Sequence, residues 1–226
     1  MQLRQLFDNA TGTYSYLLWD SDTAEAVIID PVIEQFGRDS RLIEELSLNL
    51  LDSLETHIHA DHVTGGGLLR ERFGCRIGVH KNSRAECADL WLDEGDQVCF
   101  GGHRLNVIHT PGHTNTDICY LADGAVFTGD TLLIRGSGRT DFQSGDPGTA
   151  YDSITQRLFT LADETMVYPG HDYQGFTVSF IGEEKRLNPR LSGKSRKDYI
   201  HIMDAMALPA PKRIDIALPG NMGCGL

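Results

Sequence analysis

The sequence predicts an α+β sandwich, two mixed β-sheets packed face to face with helices outside. Three observations carry that expectation. Runs rich in β-branched and aromatic residues fall into two groups, segments with helical period accompany each group, and no internal repeat, low-complexity tract or Gly/Ser linker divides the 226 residues. A chain of this length buries a substantial core and suits one domain, residues 1–226.

The elements follow in order. TYSYLLW and EAVIID read as strands, the second closed by Asp30-Pro31. RDSRLIEELSLNLL places Leu42, Ile43, Leu46 and Leu50 at helical spacing, and LDSLETHIHADH reads as a strand running out into a loop. A helix is expected from near Val63 to Phe73, then strands at CRIGVH, DQVCF, HRLNVIH, DICYLA and AVFTG. GTAYDSITQRLFTLA reads as a helix, TMVYPGH as a strand entering a loop, and FTVSFIGEEKRL and RKDYIHIMDAMAL as helices; the tail LPAPKRIDIALPGNMGCGL reads as irregular.

With 20 basic against 32 acidic residues the net charge is −12, which argues against nucleic acid or an anionic membrane surface as the main partner. An anionic substrate then needs locally placed arginines. The N-terminus lacks the apolar stretch of a signal peptide and the arginine-rich bias of a transit peptide, and no run approaches a membrane span. Cys75, Cys87, Cys99, Cys119 and Cys224 are odd in number and scattered, so they read as small buried hydrophobes in a reduced compartment, with Cys224 the one to check for exposure. A soluble, cytoplasmic protein is expected.

The densest chemistry lies in THIHADH, Thr56 to His62. His57, His59 and Asp61 recur at the period that places side chains on one face of an extended segment, and His62 approaches from the start of the next helix. Further along, His113 in HTPGHT, Asp130 in FTGD and His171 in VYPGH each lie at a strand-to-loop junction. One such residue alone is more often a cap or a surface group; their joint recurrence after strands points to a metal site. His80, His103, His109 and His201 are read as structural. RGSGRTD lacks the third glycine and the βαβ context of a dinucleotide fingerprint, and Gly65-Gly66-Gly67 reads as a close-packed turn.

The pattern H-x-H-x-D-H with distant G-H-T, T-G-D and G-H-D resembles the metallo-β-lactamase superfamily over nearly all of the chain. The resemblance implies the αββα metallo-β-lactamase sandwich and seven candidate ligands: His57, His59, Asp61, His62, His113, Asp130 and His171. LLIRGSGRTDFQSGD, YPGHDYQGFTVSFIGEEKRLNPRL and NMGCG closely resemble the persulfide dioxygenases within it, whereas glyoxalase II enzymes usually have an R-F-F-E-G-T-like segment where this chain has Arg139-Thr140-Asp141-Phe142-Gln143.

That closer resemblance implies one Fe(II) per chain held by His57, His113 and Asp130, the facial triad of non-haem iron enzymes that bind O2 beside their substrate. His59, Asp61, His62 and His171 then form a surrounding shell that orients ligands and water. The implied reaction oxidises glutathione persulfide with O2 and water to sulfite and glutathione. Arg139 and Arg190 are candidates to clasp a glutathione carboxylate. The resemblance places Tyr173 and Arg190 at glutathione-contacting positions, with Arg139 and Thr114 nearby, touching ligand or supporting its loops.

Some members of that family carry a rhodanese domain, for which this sequence leaves no room, and many are homodimers, so a stand-alone homodimer is expected. Two other readings stay open at this point. One is a glyoxalase II-like hydrolase with a two-metal site; the other is a non-catalytic glutathione-persulfide binding protein.

Overall fold

In a computed structural model, residues 1–211 and 213–226 are described, and they form two six-stranded sheets with helices on their outer faces. The first sheet runs in sequence order through β1 (Gln2–Asp8), β2 (Thr13–Trp19), β3 (Glu25–Ile29), β4 (Asn49–Leu54), β5 (Arg76–His80) and β6 (Leu90–Leu92). The second comprises β7 (Gln97–Phe100), β8 (His103–His109), β9 (Ile118–Ala122), β10 (Ala125–Gly129), β11 (Met166–Pro169) and β12 (Ser179–Phe180), also ordered as in the chain. Both sheets are mixed: β3 to β6 pair in parallel, as do β10 and β11, and the other neighbours are antiparallel. The expected sandwich is present.

Period-two alternation explains how the layers assemble. In β2 and β3, Tyr16, Leu18, Val27 and Ile29 point inward to meet Phe100, Leu105, Val107, Tyr120 and Phe127 of the second sheet. Leu17, Ala26 and Ile28 point outward onto Ile43 of α1 (Phe36–Glu45) and Leu69 of α2 (Gly66–Phe73). On the far side, Val126 and Val167 meet Ile154 of α3 (Pro147–Gln156), Ile181 of α4 (Ile181–Leu187) and Tyr199 of α5 (Arg196–Asp204). Strands apolar on both faces read as continuous hydrophobic runs, which is why EAVII and AVF are legible from sequence.

Five local expectations change, the first being that the helix expected to run through Leu50 ends at Glu45 and Leu50 lies in β4. β1 is an additional edge strand, its solvent-facing residues mixing polar with apolar side chains. α2 begins at Gly66 rather than near Val63, because Val63 and Thr64 are engaged elsewhere: the Val63 carbonyl accepts the Ile33 amide and Thr64 bridges Val32. The start of FTVSFIGEEKRL is not helical, since Ser179–Phe180 pairs with β11 before α4 starts. The tail is not irregular: Ile214–Met222 forms α6 with Pro219 inside it, and its buried residues are Ala217 and Asn221.

The cysteine expectation also needs correction. Cys87 and Cys224, 137 residues apart in sequence, form a disulfide with a Cα–Cα distance of 5.9 Å. Cys224 is buried, so it is neither free nor exposed. The pair removes the argument for a reduced compartment that scattered cysteines supplied. Cys75 and Cys119 do behave as buried hydrophobes, their thiols pushed up to about 12 by burial. No helix among the described residues is long and apolar enough to cross a membrane.

Helix α3 offers a clean test of local design. Asp146 caps it, its carboxylate accepting the Thr149 amide at 2.6 Å, with Pro147 next in sequence. Asp146→Ala should cost about 1 kcal/mol, read as a fall in Tm of about 2–4 °C for a chain of this size. Because the Thr149 amide holds this carboxyl below its ordinary value, the contribution is present above that value and fades as pH falls through the lowered one. Equal Tm values for variant and parent at neutral pH would show that the cap contributes nothing.

Candidate metal centre

The histidines and aspartates meet at one edge of the sandwich, where loops leaving β4, β8, β10 and β11 converge. The loop after β4 carries His57, His59, Asp61 and His62, the turn after β8 carries His113, and β10 and β11 deliver Asp130 and His171. Two glycines make the approach possible. Gly129 has φ +48° and a Cβ there would lie 2.4 Å from Thr56 Oγ1, so only glycine lets the Asp130 turn close on the histidine loop. Gly112, before His113, has φ +150° and its Cα faces the Ala150 backbone of α3, 2.3 Å from where a Cβ would sit.

The structure brings His57, His113 and Asp130 together with ligand atoms all within 4.8 Å of one another. Their outer atoms are already committed. Thr56 Oγ1 donates its one proton to Asp30 Oδ2 at 2.8 Å, so the 3.0 Å contact with His57 Nδ1 has the ring nitrogen as donor. His113 Nδ1 donates to the Arg139 carbonyl at 2.6 Å. Each ring therefore turns an Nε2 lone pair inward, and His113 Nε2 lies 3.7 Å from Asp130 Oδ2.

The electrostatics suit a cation. Burial, with His59 and His113 beside it, keeps His57 neutral, well below its ordinary value. Burial alone would raise Asp130, but His171, through its charge and its hydrogen bond, holds it far below the usual carboxylate range. Two imidazoles and one carboxylate are a donor set that fits a divalent transition metal.

The other four residues lie around this set. His171 bridges two carboxylates, donating from Nδ1 to Asp130 Oδ1 at 2.6 Å and from Nε2 to Asp61 Oδ2 at 3.0 Å. Burial opposes its charge, yet Asp130 and Asp61 on either side raise it well above the ordinary imidazole value. Asp61 Oδ2 also accepts a hydrogen bond from His62 Nδ1 at 2.9 Å. His59 Nε2 faces inward to Asp30 at 3.1 Å and Glu55 at 3.3 Å. The extended-strand geometry expected for His57, His59 and Asp61 is absent, for residues 55–65 form a loop, yet the rings of His57 and His59 still lie 4.1 Å apart.

Next to the triad lies a cavity of about 350 Å³ walled by His113, Asp130, His171, Tyr173, Arg190 and Leu208 among others. Arg190 is half-buried on its wall, donating to the Ser137 carbonyl and, at 3.3 Å, to Ser137 Oγ. No carboxylate among the described residues lies within 4 Å of its guanidinium. Tyr173, 75% exposed, stands at the mouth with its ring stacked on His171 at 5.9 Å.

Arg139 and Thr114 are used differently. Arg139 clasps Asp141 with two bonds of 2.7 and 2.8 Å, lies over the Phe142 ring and donates to the Leu208 and Pro209 carbonyls, so its donors fasten loops together. Thr114 is buried and off the cavity wall, its hydroxyl and amide both bound to Asp117 at 2.7 Å. His80 and His109 stack on each other, 4.2 Å apart, as structural residues. Sequence reasoning missed Asp30, Thr56 and Asn221. In the sequence Asp30 reads only as a strand terminator, and no pattern marks a side chain that binds backbone carbonyls.

Comparison with known proteins gives the family to which this fold belongs. Residues 8–171 match the family model described as the metallo-beta-lactamase superfamily. The mouse protein named "Persulfide dioxygenase ETHE1, mitochondrial" is 48% identical over 99% of this chain and 89% of its own length, and its human counterpart is 47% identical over the same shares. The crystal structure of ETHE1 from Myxococcus xanthus superposes with a TM-score of 0.98 at 53% identity, covering 100% of both chains. The chain belongs to the metallo-β-lactamase superfamily and, within it, to the ETHE1-like persulfide dioxygenases.

Proposed function

We infer that this protein is a persulfide dioxygenase that oxidises glutathione persulfide with O2 and water to sulfite and glutathione, using one Fe(II) held by His57, His113 and Asp130. The observation that carries the reading is the set of three inward donor atoms on one side of an open cavity, beside an arginine with no carboxylate partner among the described residues. Such a face would leave positions on a ferrous ion for a sulfur donor and for O2, whose activation is the chemistry iron supplies. The electrons balance: the outer sulfur gives up four, O2 accepts four, and water provides the third oxygen of sulfite.

The chain's own residues orient and shield. His171 holds Asp130 Oδ1, fixing the direction of Oδ2; the Thr56 hydroxyl and the Arg139 carbonyl fix the two imidazole planes. Arg190 would take a glutathione carboxylate, Tyr173 would flank the tripeptide at the mouth, and Leu133, Ile134 and Met206 line the wall against water. Arg139 and Thr114 act by supporting the loops that carry these groups.

One observation favours a second reading. His59 Nδ1 and His62 Nε2 are buried without a hydrogen-bond partner among the described residues, and with Asp61 they too lie within 4.8 Å. A second ion there would make a two-metal hydrolase. Metal analysis with O2 uptake decides between them. We expect about one iron per chain, O2 consumed in step with sulfite formed, and no turnover under nitrogen. Two zinc ions with activity indifferent to nitrogen would overturn the proposal, as would persulfide binding without any O2 consumption.

A further inference from the structure

The C-terminal stretch Asn221-Met222-Gly223-Cys224-Gly225 is remote from the cavity wall yet lies against the loop that bears the histidines. Asn221 is 4% exposed and every polar atom of its side chain is used. Its Nδ2 donates to the carbonyls of His59, at 2.8 Å, and His62, at 2.9 Å, and its Oδ1 accepts the Thr64 amide at 2.7 Å. These two carbonyls bracket Asp61. The contact is close on both sides: the Cys224 carbonyl accepts the Gly67 amide at 2.8 Å, and a Cβ on Gly225 would lie 2.1 Å from the Thr64 carbonyl.

We propose that Asn221 is a positioning residue for the metal centre, and that the Cys87–Cys224 bond fastens it there, so that the redox state of this cysteine pair sets how firmly the centre holds its metal.

The route is short and continuous. Asn221 fixes the backbone on both sides of Asp61; Asp61 receives His171 Nε2 at 3.0 Å; His171 Nδ1 donates at 2.6 Å to Asp130, one of the three inward ligands. Partners at this remove from a metal are what hold a ligand in one orientation. The fastener is needed because α6 is a nine-residue helix interrupted by Pro219, with little buried apolar surface of its own. Cys87 ties it to the segment before β6, which also holds Arg70 through the Cys87 carbonyl. Reduction proceeds by two exchanges: a small thiolate takes one sulfur into a mixed disulfide and releases the other cysteine, then a second thiol frees the first. Two small thiols supply the electrons and leave as one disulfide.

The proposal rests on the metal reading above, and its test separates the two. Asn221→Asp keeps the size of the side chain and the acceptor for Thr64 while removing both donors. Loaded with Fe(II) and challenged with a chromophoric ferrous chelator, it should release iron at least about tenfold faster than the parent protein. In the metal-free state its amides over residues 59–66 should exchange faster, while KM for substrate stays within twofold. Cys87→Ser, which touches none of the Asn221 contacts, and parent protein reduced with a dithiol should each release iron about threefold faster. Unchanged iron release and amide exchange in Asn221→Asp would overturn the positioning role, as would a lowered Tm with iron release unchanged. If that variant does not fold, Cys87→Ser decides, and release equal to the oxidised parent overturns the fastener. A parent protein that binds no ferrous ion sinks the metal reading itself, while the amide exchange still reports on the Asn221 contacts.

Discussion

His113→Ala should leave a folded protein that neither retains iron nor consumes O2 with glutathione persulfide. The expectation follows from how little else His113 does. Its Nδ1 makes one hydrogen bond, to the Arg139 carbonyl, and its ring packs beside Gly138. Losing that bond costs about 1 kcal/mol, a shift in Tm of about 2–4 °C. At the centre the loss is far larger. Removing a group that only orients a ligand commonly costs about 10- to 100-fold in metal affinity or activity, so losing one of three ligands should exceed about 100-fold in both. Iron content by elemental analysis and O2 uptake on an electrode read the two effects separately. An alanine variant with full iron and uptake within a few-fold of the parent would remove His113 from the ligand set.

How much of this site a reader could extract from the sequence depended on whether its residues are grouped in the chain. His57, His59, Asp61 and His62 are dense enough to mark a metal loop unaided, and the continuous apolar runs of β3 and β10 declare the sandwich. Which nitrogen faces the metal could not be read, because it is set by Thr56, Asp30 and the Arg139 carbonyl, contacts that are buried and partly made by backbone. The two arginines show the same limit. Arg139 and Arg190 are equally plausible anion receptors in a chain of net charge −12, and only the fold shows that Asp141 and two carbonyls occupy the first. The disulfide was hidden by its separation of 137 residues, and α6 by Pro219 together with a buried face made of Ala217 and Asn221 rather than leucines.

Arg190→Ala should raise KM for glutathione persulfide by about 30- to 150-fold, the loss of about 2–3 kcal/mol expected when a carboxylate forfeits charge-assisted hydrogen bonds in a sheltered site. Iron content and kcat should change little, since among the described residues Arg190 hydrogen-bonds only to Ser137 and Asn188 and to none of the three proposed ligands. Burial lowers the pKa of its guanidinium, so placing this charge on the wall already has a desolvation cost that a bound carboxylate would offset. A purely structural arginine behaves otherwise: its loss lowers Tm and kcat together and leaves KM alone. Arg190→Lys keeps the charge without the planar fork and should recover part of the affinity but not all of it. A set of kinetics in which alanine, lysine and arginine give the same KM would assign the recognition of the glutathione carboxylates to some other group on the cavity wall.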